Sequence, residues 1–224
     1  MATTRTYGDG CGIAHALDLV GERWALLVVR ELLLGPKRFT DLRAGLPNAS
    51  PNVLAQRLRE LERGGLVQRR RLPPPAGSRV YELTAWGREL EPIVLALGGW
   101  GVRSPSFPDD DPVGADSVAL ALRSLFNPAA AEGLSARYEL RLGEDRFRLR
   151  IEAGAIEVDR GQGDDPDAVI ETDVETLRAV LWLGRRLDDA VRTGDLRIEG
   201  DRTAVTRLVG IFPRPEPAAP AAVA

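Results

Sequence analysis

The chain has 224 residues, 44% hydrophobic and 28% charged, enough for one large or two modest cores and unlike a disordered or repeat protein. One cysteine excludes an intramolecular disulfide framework, and with one histidine beside it no zinc cluster can be built from soft ligands. The net charge of −3 hides a split: residues 1–103 carry fifteen Lys and Arg against ten Asp and Glu, and residues 104–224 fifteen against twenty-three, so a polyanion is expected at the first half alone.

In chain order, Ile13, Ala16, Leu17 and Val20 recur at helical spacing until Gly21 interrupts them. Cys11, flanked by Gly10 and Gly12, is a candidate accessible thiol switch, with a small hydrophobe or a plain surface thiol as the alternative. His15 on the same helix has no ligand partner nearby and reads as a packing residue. Trp24 to Leu34 predicts a second helix, apolar on nearly all sides and therefore central, ended by Gly35-Pro36. Phe39 to Leu46 predicts a short third helix with Thr40 as its N-cap.

Ser50-Pro51 is a strong helix start, because the hydroxyl caps a free amide and proline suits the first helical position. Projected at about 100° per residue, residues 51–63 place Leu54, Leu58 and Leu61 on one face and Asn52, Gln56, Arg59 and Arg63 opposite. Asn and Gln carry the paired donor and acceptor that adenine needs, and Arg can fork onto guanine or phosphate. Asn52, Gln56 and Arg59 are the candidate base readers, although a solvated amphipathic helix has the same pattern. After Gly64-Gly65, residues 66–71 and 79–83 predict a two-stranded hairpin around the loop 72–78, with four arginines whose mutual repulsion calls for a counter-charge. DNA phosphate is the simplest one, and a solvated hairpin the alternative. Arg38, Ser50, Arg57, Arg63, Arg70 and Arg79 are the candidate phosphate ligands.

Thr84 can cap the next helix, where Leu90, Ile93, Val94, Leu97 and Trp100 form an apolar stripe too wide to stand alone. With the apolar residues before Gly21 it is the candidate dimer seam. Residues 8–101 resemble the HxlR family of bacterial winged-helix regulators, through Cys11, Leu19 to Trp24, Arg38 to Leu42, Leu54 to Val67, Tyr81 to Thr84 with Gly87 and Leu90, and Trp100-Gly101. The resemblance implies a homodimer joined by terminal helices that binds a near-palindromic operator in double-stranded DNA and represses a neighbouring gene. It also lends Cys11 a thiol- or electrophile-sensing role. The family usually has Cys-Pro where this chain has Cys11-Gly12.

Residues 104–115, rich in proline and acid, predict a linker between a DNA-binding and dimerisation domain at 1–103 and a second domain at 116–212. The second domain predicts a helix around Val118 to Phe126, strands at 136–141, 146–152, 155–160 and 168–172, helices after Asp173 and at 187–191, a strand at 196–201 and a final helix. The whole is α+β, a winged helix-turn-helix followed by an α+β layer. The tail 213–224, with four prolines, is expected to be frayed.

The second domain has no cysteine or histidine and no distinctive spacing of acids, so enzyme chemistry is not expected, nor a metal or other cofactor. Its stretches Val169 to Asp173, Leu177 to Gly184 and Ala190 to Asp201 resemble the sterol carrier protein 2 family. That resemblance implies an apolar tunnel for a hydrophobic small molecule, lined by Leu125, Phe126, Tyr138, Phe147, Leu149, Leu181 and Trp182. The domain would then sense an effector; use for dimerisation or shielding alone is the alternative. With no leader-like run and no apolar stretch of membrane-spanning length, a cytoplasmic protein is expected. A lipid carrier or scaffold whose winged helix serves assembly is the other function class, and only a regulator predicts salt-sensitive binding to duplex DNA with a specific component.

Overall fold

The computed structural model describes residues 6–74 and 77–219. Part of the expected hairpin loop, at 75–76, and the tail end, 220–224, lie outside them. The chain falls into two compact units that divide between Val94 and Leu95.

The first unit holds α1 (Gly12–Val20), α2 (Ala25–Leu33), α3 (Phe39–Gly45), α4 (Pro51–Arg63), the antiparallel strands β1 (Val67–Arg71) and β2 (Arg79–Leu83), and α5 (Ala85–Arg88). Its core gathers Val28, Val29, Leu32, Leu42, Leu54, Leu58 and Leu61, all nearly without solvent contact. α2 departs from the expected all-apolar helix. Glu31 is 2% exposed and paired with Lys37 at 2.5 Å and Arg30 at 2.8 Å, while Leu27 faces solvent. A buried carboxylate persists because two cations meet it. α3 starts one residue before Thr40, with Arg38 as N-cap and the Asp41 carboxylate accepting from the Arg38 N–H at 3.0 Å. His15 is exposed on α1 and is no part of the core.

α6 (Glu91–Gly101) crosses the division and has no fully buried residue. Leu90 and Val94 pack against the first core, so these two serve the fold of the chain itself. Ile93, Leu97 and Trp100 stay 56%, 46% and 74% exposed, as does Ile13 of α1 at 74%.

The second unit sets α7 (Ala115–Ser124), α8 (Val174–Trp182), α9 (Leu187–Thr193) and α10 (Arg202–Gly210) with a five-stranded sheet. Its strands are β3 (Ala136–Leu142), β4 (Asp145–Glu152), β5 (Ala155–Arg160), β6 (Ala168–Thr172) and β7 (Leu196–Gly200), in the order β5-β4-β3-β6-β7, antiparallel except between β3 and β6. Strict alternation in β4 buries Phe147, Leu149 and Ile151 and exposes Arg146, Arg148 and Arg150. α7 packs on β5, α10 on β6 and β7, and α8 joins α7 and α10.

The predicted linker and the described part of the tail, the latter expected to be frayed, are both tied to the second unit. Arg178 of α8, 8% exposed, donates to the carbonyls of Asp109 at 2.6 Å and Asp111 at 3.2 Å. Arg214 pairs with Asp109 at 2.6 Å, and the Ala218 N–H reaches the Arg103 carbonyl at 2.7 Å. Backbone groups that prolines and irregular chain leave open are thus satisfied by arginines and by the tail itself.

Candidate nucleic-acid interface

Local chemistry fixes both ends of α4. Ser50 Oγ accepts from the Val53 N–H at 3.3 Å, and Pro51 occupies the first turn where its missing N–H costs nothing. At the other end Gly65 adopts φ +73°, which brings the Leu66 N–H to the Leu61 carbonyl at 3.0 Å and the Gly65 N–H to the Glu62 carbonyl at 3.1 Å. This double closure satisfies the last carbonyls and turns the chain straight into β1. Gly87 is fixed by a close approach, because a Cβ there would stand 2.0 Å from the Leu66 carbonyl oxygen.

Leu54 and Leu58 are fully buried and Leu61 is 1% exposed, so α4 is held by its leucine face and turns Asn52, Gln56, Arg59 and Arg63 to solvent. Arg57 does not join them. It is 8% exposed, bound to Glu60 and 3.6 Å from Glu22, so it belongs to the packing beneath the helix and does not face solvent as the expected phosphate ligand would. Ser50 is exposed; its oxygen is engaged in the cap and its hydroxyl proton remains to donate. Arg38 is exposed before α3, and Arg43, absent from the expected set, is exposed near the end of that helix. Glu60 is the other residue that sequence reasoning passed over; its spacing of four from Gln56 is the signal that marks it.

The hairpin answers the question of counter-charge differently from the sequence argument. Arg69 pairs with Glu62 of α4 at 2.7 Å and lies over the Tyr81 ring, and Arg70 pairs with buried Glu82 at 3.0 Å. Two of the four arginines therefore have carboxylates within the chain. Arg71 donates to the Gly77 carbonyl at 3.2 Å and stands directly across the ladder from Arg79, leaving two like charges side by side at the outer end. The Arg69–Glu62 pair fixes β1 to the last turn of α4, and the backbone bridge between Lys37 and Tyr81 ties β2 to the start of α3.

Cys11 is the extended N-cap of α1, exposed and free of any disulfide. The backbone N–H groups of Ala14 and Ile13, at the start of α1, hold its pKa below the ordinary 9.0. Among the described residues no cluster of His, Cys, Asp and Glu could hold a metal ion, and no helix is long and apolar enough to cross a membrane.

In the second unit a wholly apolar cavity of about 20 Å³ lies between the sheet and α8 and α10. Of the expected lining residues only Leu149 and Leu181 border it. Leu125 closes α7, Phe126 packs on Phe212 with ring centres 6.4 Å apart, Tyr138 donates its hydroxyl to the Ala204 carbonyl at 3.0 Å, and Phe147 lies under the Arg160 guanidinium. Trp182 ends α8 outside the lining. Phe126, Tyr138 and Phe147 thus meet other protein groups instead of the void, and a space of this size holds about one water and no acyl chain.

Residues 19–106 match the family model of the HxlR-like helix-turn-helix, and residues 116–218 match that of the alkyl sulfatase C-terminal domain, a different family from the sterol carrier one expected for the second unit. The uncharacterized HTH-type transcriptional regulator YvaP of Bacillus subtilis (strain 168) is 41% identical over 96 residues, which are 42% of this chain and 89% of YvaP. The HTH-type transcriptional regulator YodB of the same strain is 36% identical over 85 residues, 38% of this chain and 76% of YodB. Among solved structures, the reduced form of YodB from B. subtilis aligns with a TM-score of 0.39 at 33% identity, over 43% of this chain and 95% of that one. The oxidized form of the redox regulator HypR aligns with a TM-score of 0.38 at 36% identity, over 41% and 94%.

Proposed function

The chain belongs to the HxlR-like helix-turn-helix family and is a DNA-binding transcriptional regulator, and from that premise we propose a two-fold dimeric repressor that lays α4 in the major groove of an inverted-repeat operator. One observation carries the reading: α4 is anchored by three buried leucines and turns Asn52, Gln56 and Arg59 outward, in its N-terminal and middle turns, where base edges are met. Arg38, Arg63 and Arg79, with the hydroxyl of Ser50, contact the flanking phosphates, and Arg70 does so in part because Glu82 shares it.

Ile93, Leu97 and Trp100 of α6 form the dimer seam together with Ile13 of α1, since apolar side chains this exposed are otherwise left in water. The two copies of α4 then stand about 34 Å apart or another whole number of turns, matching inverted half-sites. Selection of sites from random duplexes, followed by light scattering of the free and bound protein, tests both parts. Inverted half-sites and a dimer are expected; a monomer at micromolar concentration with and without DNA, or no selected sequence, overturns the reading.

A second reading adds thiol or electrophile sensing at Cys11, favoured by its exposure and by the backbone N–H groups that stabilise its thiolate. Alkylation of Cys11 is expected to reach half its limiting rate below pH 9.0 and to change operator affinity. A rate profile like that of a free thiol, or unchanged affinity after full alkylation, removes it. For the second unit, a hydrophobic effector has to part α8 from α10 before it can enter, given the size of the cavity. A fluorescent fatty-acid probe is therefore expected to show no saturable binding to the resting protein; tight binding would favour the lipid-carrier alternative.

A further inference from the structure

Gln56 and Glu60 stand one turn apart on α4, and Gln56 Nε2 donates to Glu60 Oε1 at 3.0 Å. The second carboxylate oxygen, Oε2, is taken by Arg57, whose side chain is 10% exposed and whose other partner, Glu22, is 3.6 Å away. Glu60 is consequently not free to swing into water. Leaving would strand a buried guanidinium with one longer contact, the arrangement that makes broken buried pairs costly.

The contact also decides which way the Gln56 amide points. A carboxylate only accepts, so the nitrogen end of the amide must face Glu60. We infer that Glu60 is a positioning residue for base readout: anchored on Arg57, it sets the Gln56 amide so that Oε1 and the second N–H form one donor–acceptor edge toward a base. The inference rests on the proposed base-reading role of Gln56. Adenine presents an acceptor and a donor in fixed order in the major groove, so an amide that flips end over end reads it poorly. An unheld glutamine also loses rotamer freedom on binding, which a preset one has already given up. Arg57 thus acts behind the interface, through Glu60, instead of on phosphate.

The test uses the full chain and random-duplex selection with the wild type, Gln56→Ala, Glu60→Ala and Glu60→Gln. Gln56→Ala is expected to flatten the preference at one base pair per half-site. Glu60→Ala should flatten the same pair, from about tenfold or more to below about threefold, and Glu60→Gln, whose amide oxygen still accepts, should keep it. Preference retained in Glu60→Ala, or a loss of affinity equal on all duplexes with preference intact, overturns the inference. An unchanged profile for Gln56→Ala removes the base-reading role itself, and with it the need for positioning, whereas a flattened Gln56→Ala beside an intact Glu60→Ala removes Glu60 alone. Should Glu60→Ala fail to fold, nitrogen relaxation of the wild type without DNA decides: a side-chain amide order parameter above about 0.6 is expected for Gln56, and one below it overturns the inference.

Discussion

The outer face of α4 with its hairpin and the outer face of the five-stranded sheet are both studded with arginine, yet their electrostatics differ. On the sheet, Arg141 and Arg146 share Glu139 at 2.6 and 3.3 Å, Arg148 meets Asp159 at 3.4 Å, and Arg150 is held by Glu152. In the first unit Arg59, Arg63 and Arg79 meet no carboxylate within ion-pair distance among the described residues, and the tethered pair Arg69 and Arg70 occupies the inner part of the hairpin. Arginine density alone therefore does not mark a nucleic-acid face. What marks it is positive charge left without an internal partner, because only such charge gains from replacing condensed counterions on phosphate.

The largest expected effect comes from breaking the neutralisation on the sheet. Glu139 is 2% exposed; burial alone would raise its pKa, but the hydrogen bond from Arg141, the Gly163 N–H and the charges of Arg141 and Arg146 hold it below its ordinary 4.5. A depressed carboxylate contributes its stability fully above the unfolded-state value, near pH 4.5, and loses it as pH falls through the folded value. Glu139→Gln is expected to destabilise the second unit by about 2–3 kcal/mol at neutral pH and to flatten the acid limb of its stability profile. Urea titrations between pH 3 and 7 measure both. DNA affinity should not change; a gain on all duplexes would mean that the sheet is a latent phosphate-binding face and would break the comparison.

The same contrast explains what was legible in the sequence. Ser50-Pro51 and Gly64-Gly65 bracket α4 chemically, and the alternation from Arg146 to Glu152 admits no period but that of a strand, so these elements appear where they were expected. Arg57 was misplaced because its charge was read before its angle. At about 100° per residue it lies about 60° from Leu54 and about 100° from Leu58, on the flank of the buried face, where Glu60 and Glu22 receive it. The start of α3 was missed for a similar reason: the nearest hydroxyl, Thr40, was preferred, while the carboxylate of Asp41 reaches back to the Arg38 N–H. In the second unit Tyr138 and Phe147 do face inward, as their strand phase requires, but phase tells only which side is buried. Whether inward side chains enclose a void depends on how α8 and α10 close over them, which no local pattern encodes.

A smaller effect sharpens the comparison at the level of single arginines. Each phosphate contact contributes about one unit to the slope of log affinity against log salt, so Arg79→Gln is expected to lower the magnitude of that slope by about one unit, equally on selected and random duplexes. Arg70→Gln should lower it by less. Its guanidinium is shared with Glu82, and removing it also releases a carboxylate that is 10% exposed and still held by Gln68 at 2.9 Å. Arg148→Gln, from the sheet, should leave the slope unchanged, since Arg148 has Asp159 for a partner. Anisotropy titrations at several salt concentrations rank the three. An Arg148 effect as large as that of Arg79 would show that internal pairing does not protect an arginine from phosphate, whereas equal, null effects of Arg79 and Arg70 would show that the hairpin points away from DNA.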